Sequence, residues 1–382
     1  MEKLEKSVPV IRFKGFSEAW EQRKLGKEVE NVATGRSTFF TSIEQSSETP
    51  YAVLGSTSVI SYDKNFDHSG DFILTARVGA NAGNLYKYSG DVKISDNTVY
   101  IQAKSLDFVY YLLNKFDLKR LSFGTGQPLV KASELKNLKL MFPNDEEEQQ
   151  KIGKFFKYLD DTIALHQRKL DALKLMKKGF LQQMFPKIEA DIPEIRFADF
   201  DGKWEQRKLG EIFNERSERS ADGELISVTI NSGVVKASKL EKKDNSSFDK
   251  SNYKVVKKGD IAYNSMRMWQ GASGYSSYDG ILSPAYTVIY PRKDIDTIFI
   301  AYMFKKIDMI QTFQRNSQGL TSDTWNLKFP SLSTIKIKIP ANDEQIKITN
   351  LFQKLEYTSI LHQNQIEMLK KVKKAYLQTM FI

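Results

Sequence analysis

Trp20-Glu21-Gln22-Arg23-Lys24-Leu25-Gly26 stands near the start of the chain, and the same seven residues return unchanged as Trp204-Glu205-Gln206-Arg207-Lys208-Leu209-Gly210. We call these two copies the leading motifs. A looser match precedes each of them at the same spacing, Val8-Pro9-Val10-Ile11-Arg12-Phe13 and Ile192-Pro193-Glu194-Ile195-Arg196-Phe197. Two matches at one spacing indicate an internal duplication, so the chain is expected to contain two related domains.

A second pair of matching blocks lies at a slightly larger spacing. Residues 148–185 align without a gap with residues 344–381, and the clearest shared features are His166-Gln167 with His362-Gln363 and Met184-Phe185 with Met380-Phe381. Each half of the chain therefore consists of a leading motif, a divergent region and a similar closing block. The divergent region of the second half is the longer one.

The closing blocks are predicted to be long helices. Apolar residues recur there in steps of three and four, which is typical of one face of an α-helix. About 39 residues would form a rod of roughly 58 Å, and a rod with a single apolar stripe needs a partner, which we expect to be its own repeat. The residues predicted to pair the helices are Ile152, Leu159, Ile163, His166, Leu170, Leu173, Ile348, Leu355, His362, Ile366 and Leu369, and Leu361 falls in the same spacing.

The histidines of the chain are few. His166 and His362 occupy equivalent positions near the midpoints of the predicted helices, and a metal site would need more ligands than these two. We interpret them as polar residues that fix the helix register, as single polar positions in a helix seam often do. His68 lies in a polar stretch and is expected to be exposed.

The divergent regions are predicted to be mixed domains of strands and helices. Strand-forming runs at residues 71–75, 97–101 and 286–290 are separated by turns rich in Gly, Ser and Asn. Helical segments are predicted near residues 106–116 and 298–313. Each region closes on an alternating strand that runs into a proline, at residues 138–143 and 335–340. The predicted fold class is therefore α+β with an internal repeat.

The composition favours a nucleic-acid partner. The 382 residues carry a formal net charge of +10, and each Lys or Arg placed on a phosphate releases a condensed counterion. The chain has no cysteine, which excludes disulfides and thiolate metal sites and fits a reducing cytoplasm. No run of roughly 18 apolar residues and no apolar secretion-signal core are present, so neither a membrane span nor export is expected.

Catalytic motifs are missing from the sequence. Ser283-Pro284-Ala285-Tyr286 is the nearest string to the Asp/Asn-Pro-Pro-Tyr clamp of an adenine methyltransferase, but it lacks the second proline and a Gly-rich cofactor loop. The chain also lacks the Gly-x4-Gly-Lys-Ser/Thr loop of ATP-driven motors. We therefore expect no catalytic residue, no metal site and no cofactor in this chain.

The order and duplication of these parts carry a family resemblance. With its leading motifs and two closing blocks that end in Met184-Phe185 and Met380-Phe381, the chain resembles, over essentially its whole length, the specificity subunit of type I restriction–modification systems. The resemblance implies two target-recognition domains, each reading one half of a bipartite DNA site, separated by an antiparallel coiled-coil pair of helices. The expected domains are residues 1–144 (first recognition domain with its leading motif), 145–185 (first spacer helix), 186–340 (linker, leading motif and second recognition domain) and 341–382 (second spacer helix).

The resemblance also implies partners that carry the chemistry. Two methyltransferase subunits would methylate adenine N6 with S-adenosylmethionine, and two motor subunits of the full nuclease would use ATP and Mg²⁺. The chain itself would be a non-catalytic cytoplasmic subunit that binds double-stranded DNA. Two alternatives stay open: a self-contained restriction enzyme with recognition and cleavage in one chain, and a coiled-coil adaptor with no role on DNA.

Candidate DNA contacts follow from side-chain chemistry. Arg suits the O6 and N7 atoms of guanine, and Asn or Gln suits N6 and N7 of adenine. Such residues stand beside glycines after a predicted strand: Arg77 and Asn81 in the first half, and Asn264, Arg267, Trp269 and Gln270 in the second. Two further loops offer phosphate and groove contacts through Thr125, Gln127, Lys131, Arg315, Gln318 and Lys328. Any one of these could equally be an ordinary turn or surface residue, and Trp269 and Trp325 could be core aromatics.

Overall fold

The computed structural model describes residues 7–38, 41–122, 128–240, 249–322 and 324–382. The chain divides into two compact units. Unit 1 comprises Met1–Arg168 together with Gln363–Ile382, and unit 2 comprises Lys169–His362. The division falls inside the two long helices, so unit 1 is assembled from two stretches that are far apart in sequence.

Unit 1 is built from small sheets and short helices. Its elements are β1 (Glu21–Lys24), α1 (Leu25–Glu28), β2 (Asn31–Thr34), β3 (Tyr51–Leu54), β4 (Val59–Asp63), β5 (Asp71–Ala76), β6 (Leu85–Ser89), β7 (Val92–Ile94), β8 (Thr98–Gln102), α2 (Leu106–Phe116), α3 (Ala132–Asn137), β9 (Lys139–Phe142) and the first part of α4 (Glu146–Gln183). The central sheet is antiparallel in the order β2-β8-β5-β6. Strands β4-β3-β7 form a second sheet, and β1 pairs with β9.

Unit 2 repeats this plan. Its elements are β10 (Glu205–Lys208), α5 (Leu209–Ile212), β11 (Phe213–Glu215), β12 (Ile226–Thr229), β13 (Gly233–Lys236), β14 (Lys254–Val256), β15 (Ile261–Asn264), β16 (Ser273–Tyr275), β17 (Gly280–Leu282), β18 (Tyr286–Pro291), α6 (Thr297–Met303), α7 (Ile307–Asn316), α8 (Phe329–Ser333), β19 (Lys336–Ile339) and the first part of α9 (Asn342–Thr379). The sheet β11-β18-β15-β16 corresponds to the central sheet of unit 1, and β10 pairs with β19 as β1 pairs with β9.

The leading motif closes each unit onto its core. In unit 1, Trp20 is buried and the next four residues form β1, which pairs in antiparallel register with β9. Gly26 then lies against α3, because a Cβ there would come within 3.1 Å of Lys136. A Cβ at Gly210 would likewise come within 2.9 Å of Ser333. The Trp, Leu and Gly positions of the motif therefore have packing roles in both units.

Each leading-motif tryptophan packs against the Met-Phe ending of a long helix. The Trp20 ring lies 5.9 Å from Phe108 and 6.2 Å from Phe381, edge to face. In unit 2, the Trp204 ring lies 6.1 Å from that of Phe185. Phe381 follows the end of α9, so the core of unit 1 contains residues that lie far from the rest of the unit in sequence.

The long helices, of 38 residues each, confirm the prediction from apolar spacing. The Asp145 carboxylate caps α4 by accepting the Glu147 N–H at 2.7 Å. Within unit 1, α4 and the last part of α9 run antiparallel, with the Phe155 and Tyr376 rings 5.1 Å apart. No helix of the described residues is long and apolar enough to cross a membrane.

Other sequence predictions hold with small differences. The strands expected at residues 71–75, 97–101 and 286–290 are β5, β8 and β18, and the helix expected near 106–116 is α2. The helical segment expected near 298–313 is two helices, α6 and α7. His68 is not simply exposed: its ring lies 4.7 Å from the Tyr100 ring, and Nε2 is 3.0 Å from the Tyr100 hydroxyl. The polar stretch around His68 hid this packing from the sequence prediction.

Candidate nucleic-acid interface

The strand-end turn of unit 1 (residues 77–84) follows the central strand β5. Arg77 is exposed, and its backbone is held on both sides: its N–H donates to Asn97 O at 2.9 Å and its carbonyl accepts the Val130 N–H at 2.8 Å. Gly83 permits the turn, since it has a φ of +86° and a Cβ there would meet Lys119 N at 2.7 Å. The backbone is thus fixed while the Arg77 side chain stays accessible.

The other unit 1 candidates lie around the same turn. Asn81 is exposed, and Asn84 donates to its carbonyl at 3.0 Å and to its side-chain oxygen at 3.2 Å. Lys131 directly follows Val130, which is bonded to Arg77, and it precedes α3 with its ammonium 3.5 Å from Glu134. Thr125 and Gln127 lie outside the described residues. The fold therefore gathers Arg77, Asn81 and Lys131 in one neighbourhood.

The strand-end turn of unit 2 (residues 264–271) occupies the matching place after β15. Its Ser265 carbonyl accepts the Leu327 N–H at 2.8 Å, which reproduces the bond between Val130 and Arg77 in unit 1. Lys328 then precedes α8 as Lys131 precedes α3. Arg267 is exposed, and the Asn264 side chain accepts the Met266 N–H at 3.0 Å.

Two tryptophans support the unit 2 turn. The rings of Trp269 and Trp325 meet edge to face with centroids 5.1 Å apart, and both side chains are half-buried. Trp269 Nε1 donates to Met266 O at 3.0 Å, so its one polar group is already used inside the turn. The Gln270 Oε1 atom is buried and has no hydrogen-bond partner among the described residues. Both residues therefore pack as well as border the surface.

The remaining unit 2 candidates are more dispersed. Gln318 is exposed, forms a bridge with Asn326 and so lies beside the strand-end turn. Arg315, on α7, donates to Thr312 Oγ1 at 3.0 Å and lines a cavity of about 290 Å³ together with Lys336 and Lys338. Arg315 thus belongs to a basic cavity of its own.

The predicted helix-pairing residues are all buried or half-buried. Ile152, Leu159, Leu170, Ile348, Leu355 and Ile366 are buried, and Ile163, His166, Leu173, His362 and Leu369 are half-buried. Leu361 shares their spacing without being one of them, and it is 44% exposed. Its repeat equivalent, Leu165, is 43% exposed.

A tyrosine–carboxylate–lysine cluster recurs in both units. In unit 1 the Tyr111 hydroxyl donates to Asp160 at 2.6 Å, and Lys373 lies 5.1 Å from the centre of the Tyr111 ring. In unit 2 the Tyr302 hydroxyl donates to Glu356 at 2.8 Å, and Lys177 donates to the same carboxylate at 2.6 Å. Burial, together with the neighbouring carboxylate, raises the pKa of each of these tyrosines, so both hydroxyls stay protonated as donors.

A buried arginine–glutamate pair also recurs. Arg12 Nε and Nη2 donate to Glu148 at 2.6 and 2.8 Å, and Arg196 makes the same two bonds to Glu344 at 2.8 and 2.7 Å. Both carboxylates are buried. The described residues contain no group of three or more His, Asp or Glu side chains that could hold a metal ion.

The duplicated architecture corresponds to a known family. A profile of the type I restriction modification DNA specificity domain matches residues 17–175 and, a second time, residues 201–371. The chain belongs to this family. It is a DNA-specificity subunit of a type I restriction–modification system, with two copies of the specificity domain.

Individual specificity subunits are similar to this one. The type I restriction enzyme MjaVIII specificity subunit of Methanocaldococcus jannaschii is 24% identical over 335 residues, which cover 78% of this chain and 75% of that protein. The MjaIX specificity subunit of the same organism is 30% identical over 125 residues, 30% of this chain and 29% of that protein. The crystal structure of a type I system S subunit from M. genitalium has the same fold, with a TM-score of 0.65 over 98% of this chain and 99% of that one at 16% identity.

Sequence reasoning missed the polar clusters of this specificity subunit. Arg12 and Arg196 stood inside the repeated segments, and so did Glu148 and Glu344. The arginine–glutamate pair could therefore have been predicted, because an arginine and a glutamate occur at equivalent positions of both repeats. The Tyr111 cluster had a weaker signal, because its carboxylate changes from Asp160 to Glu356 between the repeats.

Proposed function

We propose that the specificity subunit reads a bipartite, asymmetric DNA site, one half with unit 1 and the other with unit 2. The observation that carries this proposal is the strand-end turn. It follows the central strand in both units and is tied by the same backbone bond, from Val130 to Arg77 and from Leu327 to Ser265. The side chains presented by the two turns differ. A shared scaffold with different exposed groups is what two readers of different base sequences require.

The proposed base contacts are the exposed arginines. Arg77 in unit 1 and Arg267 in unit 2 each carry the fork geometry that pairs with guanine in the major groove. Lys131 and Lys328 lie beside these turns and are proposed as phosphate contacts. The other proposed DNA contacts are Asn81, Thr125, Gln127, Asn264, Trp269, Gln270, Arg315 and Gln318.

The long helices are proposed to set the gap between half-sites and to dock two methyltransferase subunits. Support comes from the duplication, because a scaffold repeated in one chain offers the same surface twice. Leu165 and Leu361 are exposed apolar residues at equivalent positions of that surface. Under this proposal S-adenosylmethionine belongs to the methyltransferase, ATP and Mg²⁺ belong to any motor subunits, and the complex acts in the cytoplasm as an adenine-N6 methyltransferase and ATP-dependent deoxyribonuclease.

Domain replacement tests the proposed division of labour. Residues 26–142 are replaced by the equivalent region of another specificity subunit, and the variant is expressed with its methyltransferase. Single-molecule methylome sequencing should then show one half of the methylated motif changed and the other half unaltered. A motif changed in both halves would contradict two independent readers.

Matched arginine variants test the turns. Arg77→Ala should weaken binding of duplexes that carry the first half-site by about 1–3 kcal/mol, and Arg267→Ala should do the same for the second half-site. Fluorescence anisotropy of the subunit–methyltransferase complex on duplexes altered in one half at a time separates the effects. Lys27→Ala, which removes an exposed charge outside the turns, serves as the control. Equal losses for every duplex would mean that these arginines contact only phosphates.

A further inference from the structure

Unit 2 contains a cavity of about 460 Å³ that is not lined by any of the proposed DNA contacts. It is lined by the turn between β12 and β13, by β16 and α6, and by the parts of α4 and α9 that belong to this unit, and it opens to the surface. Its volume falls within the range of about 300–1,000 Å³ typical of small-molecule sites. One wall is apolar and includes Leu181, Ile298 and Ala301.

A half-buried lysine lines this cavity without a carboxylate partner among the described residues. Lys305 Nζ donates to Gly271 O at 2.6 Å and to Ile230 O at 3.2 Å, which leaves the third ammonium proton for the cavity. No carboxylate in the described part of the chain forms an ion pair with Lys305, whereas the neighbouring Lys177 pairs with Glu356 at 2.6 Å. Burial, and secondly the charge of Lys177, lower the pKa of Lys305 to about 8. A nearby anion would offset both effects.

A second donor on the cavity wall is also unused. Ser273, on β16, is fully buried, and its Oγ has no hydrogen-bond partner among the described residues. Buried hydroxyl groups are nearly always hydrogen-bonded, so an unpaired one facing a cavity indicates a missing partner. Ser273 and Lys305 line the same cavity, and both can donate to an oxyanion.

The lysine is not part of the repeated scaffold. Tyr111 and Tyr302 are equivalent through their carboxylate clusters, and the residue three positions after each is Asn114 in unit 1 and Lys305 in unit 2. The Asn114 amide is satisfied locally by donating to Tyr110 O at 2.8 Å. A scaffold role shared by both units therefore does not explain the cation in unit 2.

We propose that this cavity binds a small organic anion, whose phosphate or carboxylate group accepts hydrogen bonds from Lys305 and Ser273 and whose uncharged body lies on the apolar wall. The net charge of the nearby ionic groups favours an anion, since Lys177 and Lys305 face a single carboxylate, Glu356. The assignment goes beyond sequence recognition, and its test does not use DNA recognition as a readout.

Competitive acetylation with acetic anhydride tests the site in the full chain. The rate at each lysine is followed by peptide mass spectrometry at a series of pH values on both sides of 8, without ligand and with inorganic phosphate, adenosine monophosphate or citrate at about 10 mM. At least one anion should slow acetylation of Lys305 by about tenfold or more and leave exposed lysines unchanged. Phosphate esters and carboxylates are distinguished by which of the three probes protects.

Variants separate the site from general protection. Ser273→Ala should weaken the protecting anion's affinity several-fold in calorimetry, and Lys305→Gln should abolish its binding. Lys258→Gln, an exposed lysine of the same unit, should leave the affinity unchanged. If none of the three anions slows acetylation of Lys305 relative to the ligand-free protein, the proposal is overturned. That measurement uses the unaltered chain and does not depend on the folding of a variant. Protection by duplex DNA alone would also overturn it, because the group recognised would then be a backbone phosphate.

Discussion

Lys373 Nζ lies 2.6 Å from Oδ1 and 2.8 Å from Oδ2 of Asp160, and this ion pair joins the last part of α9 to α4 within unit 1. The pair is partly exposed, with 24% of the lysine and 37% of the aspartate side chain accessible. Because Asp160 also accepts the Tyr111 hydroxyl, the contact extends from both long helices into α2. A residue of the second closing block thereby stabilises the first domain.

Lysine variants in the long helices should destabilise the unit that contains the side chain, even where that lysine is closer in sequence to the leading motif of the other unit. Lys373→Met removes the cation beside Asp160 and should destabilise unit 1 by about 1 kcal/mol, a modest loss because the pair is partly solvated. Amide exchange should accelerate at Leu106–Phe116. Lys177→Met should instead accelerate exchange at Thr297–Met303, where Tyr302 shares Glu356 with that lysine. Lys374→Met, an exposed neighbour, should change neither. Exchange altered in the opposite unit would contradict this structure.

Substitution in the buried pair of Arg12 and Glu148 should destabilise unit 1 far more than substitution of Lys373. Arg12→Met leaves a fully buried carboxylate without its cation, which typically costs about 3–5 kcal/mol. Arg12→Lys should recover only part of the loss, because an ammonium cannot form the two parallel bonds. Thermal unfolding of unit 1 measures both variants.

A double variant distinguishes the pair from the packing around it. Arg12→Met combined with Glu148→Leu removes both charges and should be more stable than Arg12→Met alone. A double variant as unstable as the single one would show that Arg12 acts mainly through its aliphatic packing.

Matched helix insertions test whether the helices measure the gap between half-sites. Four residues added after Arg168 in α4 and four after His362 in α9 fall between the units and leave the ion pairs of each unit in register. The insertion adds about 6 Å of helix, so the spacer of the methylated motif should grow by one or two base pairs of about 3.4 Å with unchanged half-sites. Two-residue insertions should instead inactivate the subunit, because they rotate the apolar stripe by about half a turn. An active four-residue variant that methylates a motif with the original spacer would show that the helices do not set the gap between half-sites.

Because the pKa of Lys305 is lowered in the folded chain, the unfolding free energy should increase as the pH rises through the alkaline range. Its pKa is about 8 in the folded chain against 10.5 for an ordinary lysine, so the unfolded state binds more protons between these values. The unfavourable contribution of Lys305 is complete below about pH 8 and fades as the pH rises to 10.5, a gain in unfolding free energy of up to about 3 kcal/mol. Lys305→Met should lack this rise. If the unfolding free energies of the unaltered chain and Lys305→Met change with pH in parallel, the ammonium of Lys305 is solvated and its pKa is not lowered.

The sequence allowed the architecture to be predicted because duplication and helical periodicity are properties of the chain itself. Trp20 and Trp204 mark equivalent core positions, and the two 38-residue helices follow from apolar spacing. The pairing of Asp160 with Lys373 could not be predicted, since it joins residues far apart in sequence and the carboxylate changes from Asp160 to Glu356 between the repeats. Candidate base contacts lack a pattern altogether, because each turn carries its own side chains.

The dependence of unit 1 on residues 363–382 has a consequence for synthesis. All of unit 2 is translated before those residues, so the domain that begins first is completed last. At about 5–20 residues per second, the wait between Arg168 and Gln363 lasts roughly 10 to 40 seconds. During that time the Trp20 and Phe108 rings lack the covering ring of Phe381. We therefore expect the nascent chain to keep an incomplete aromatic core in this half of the subunit until residues 363–382 have been translated.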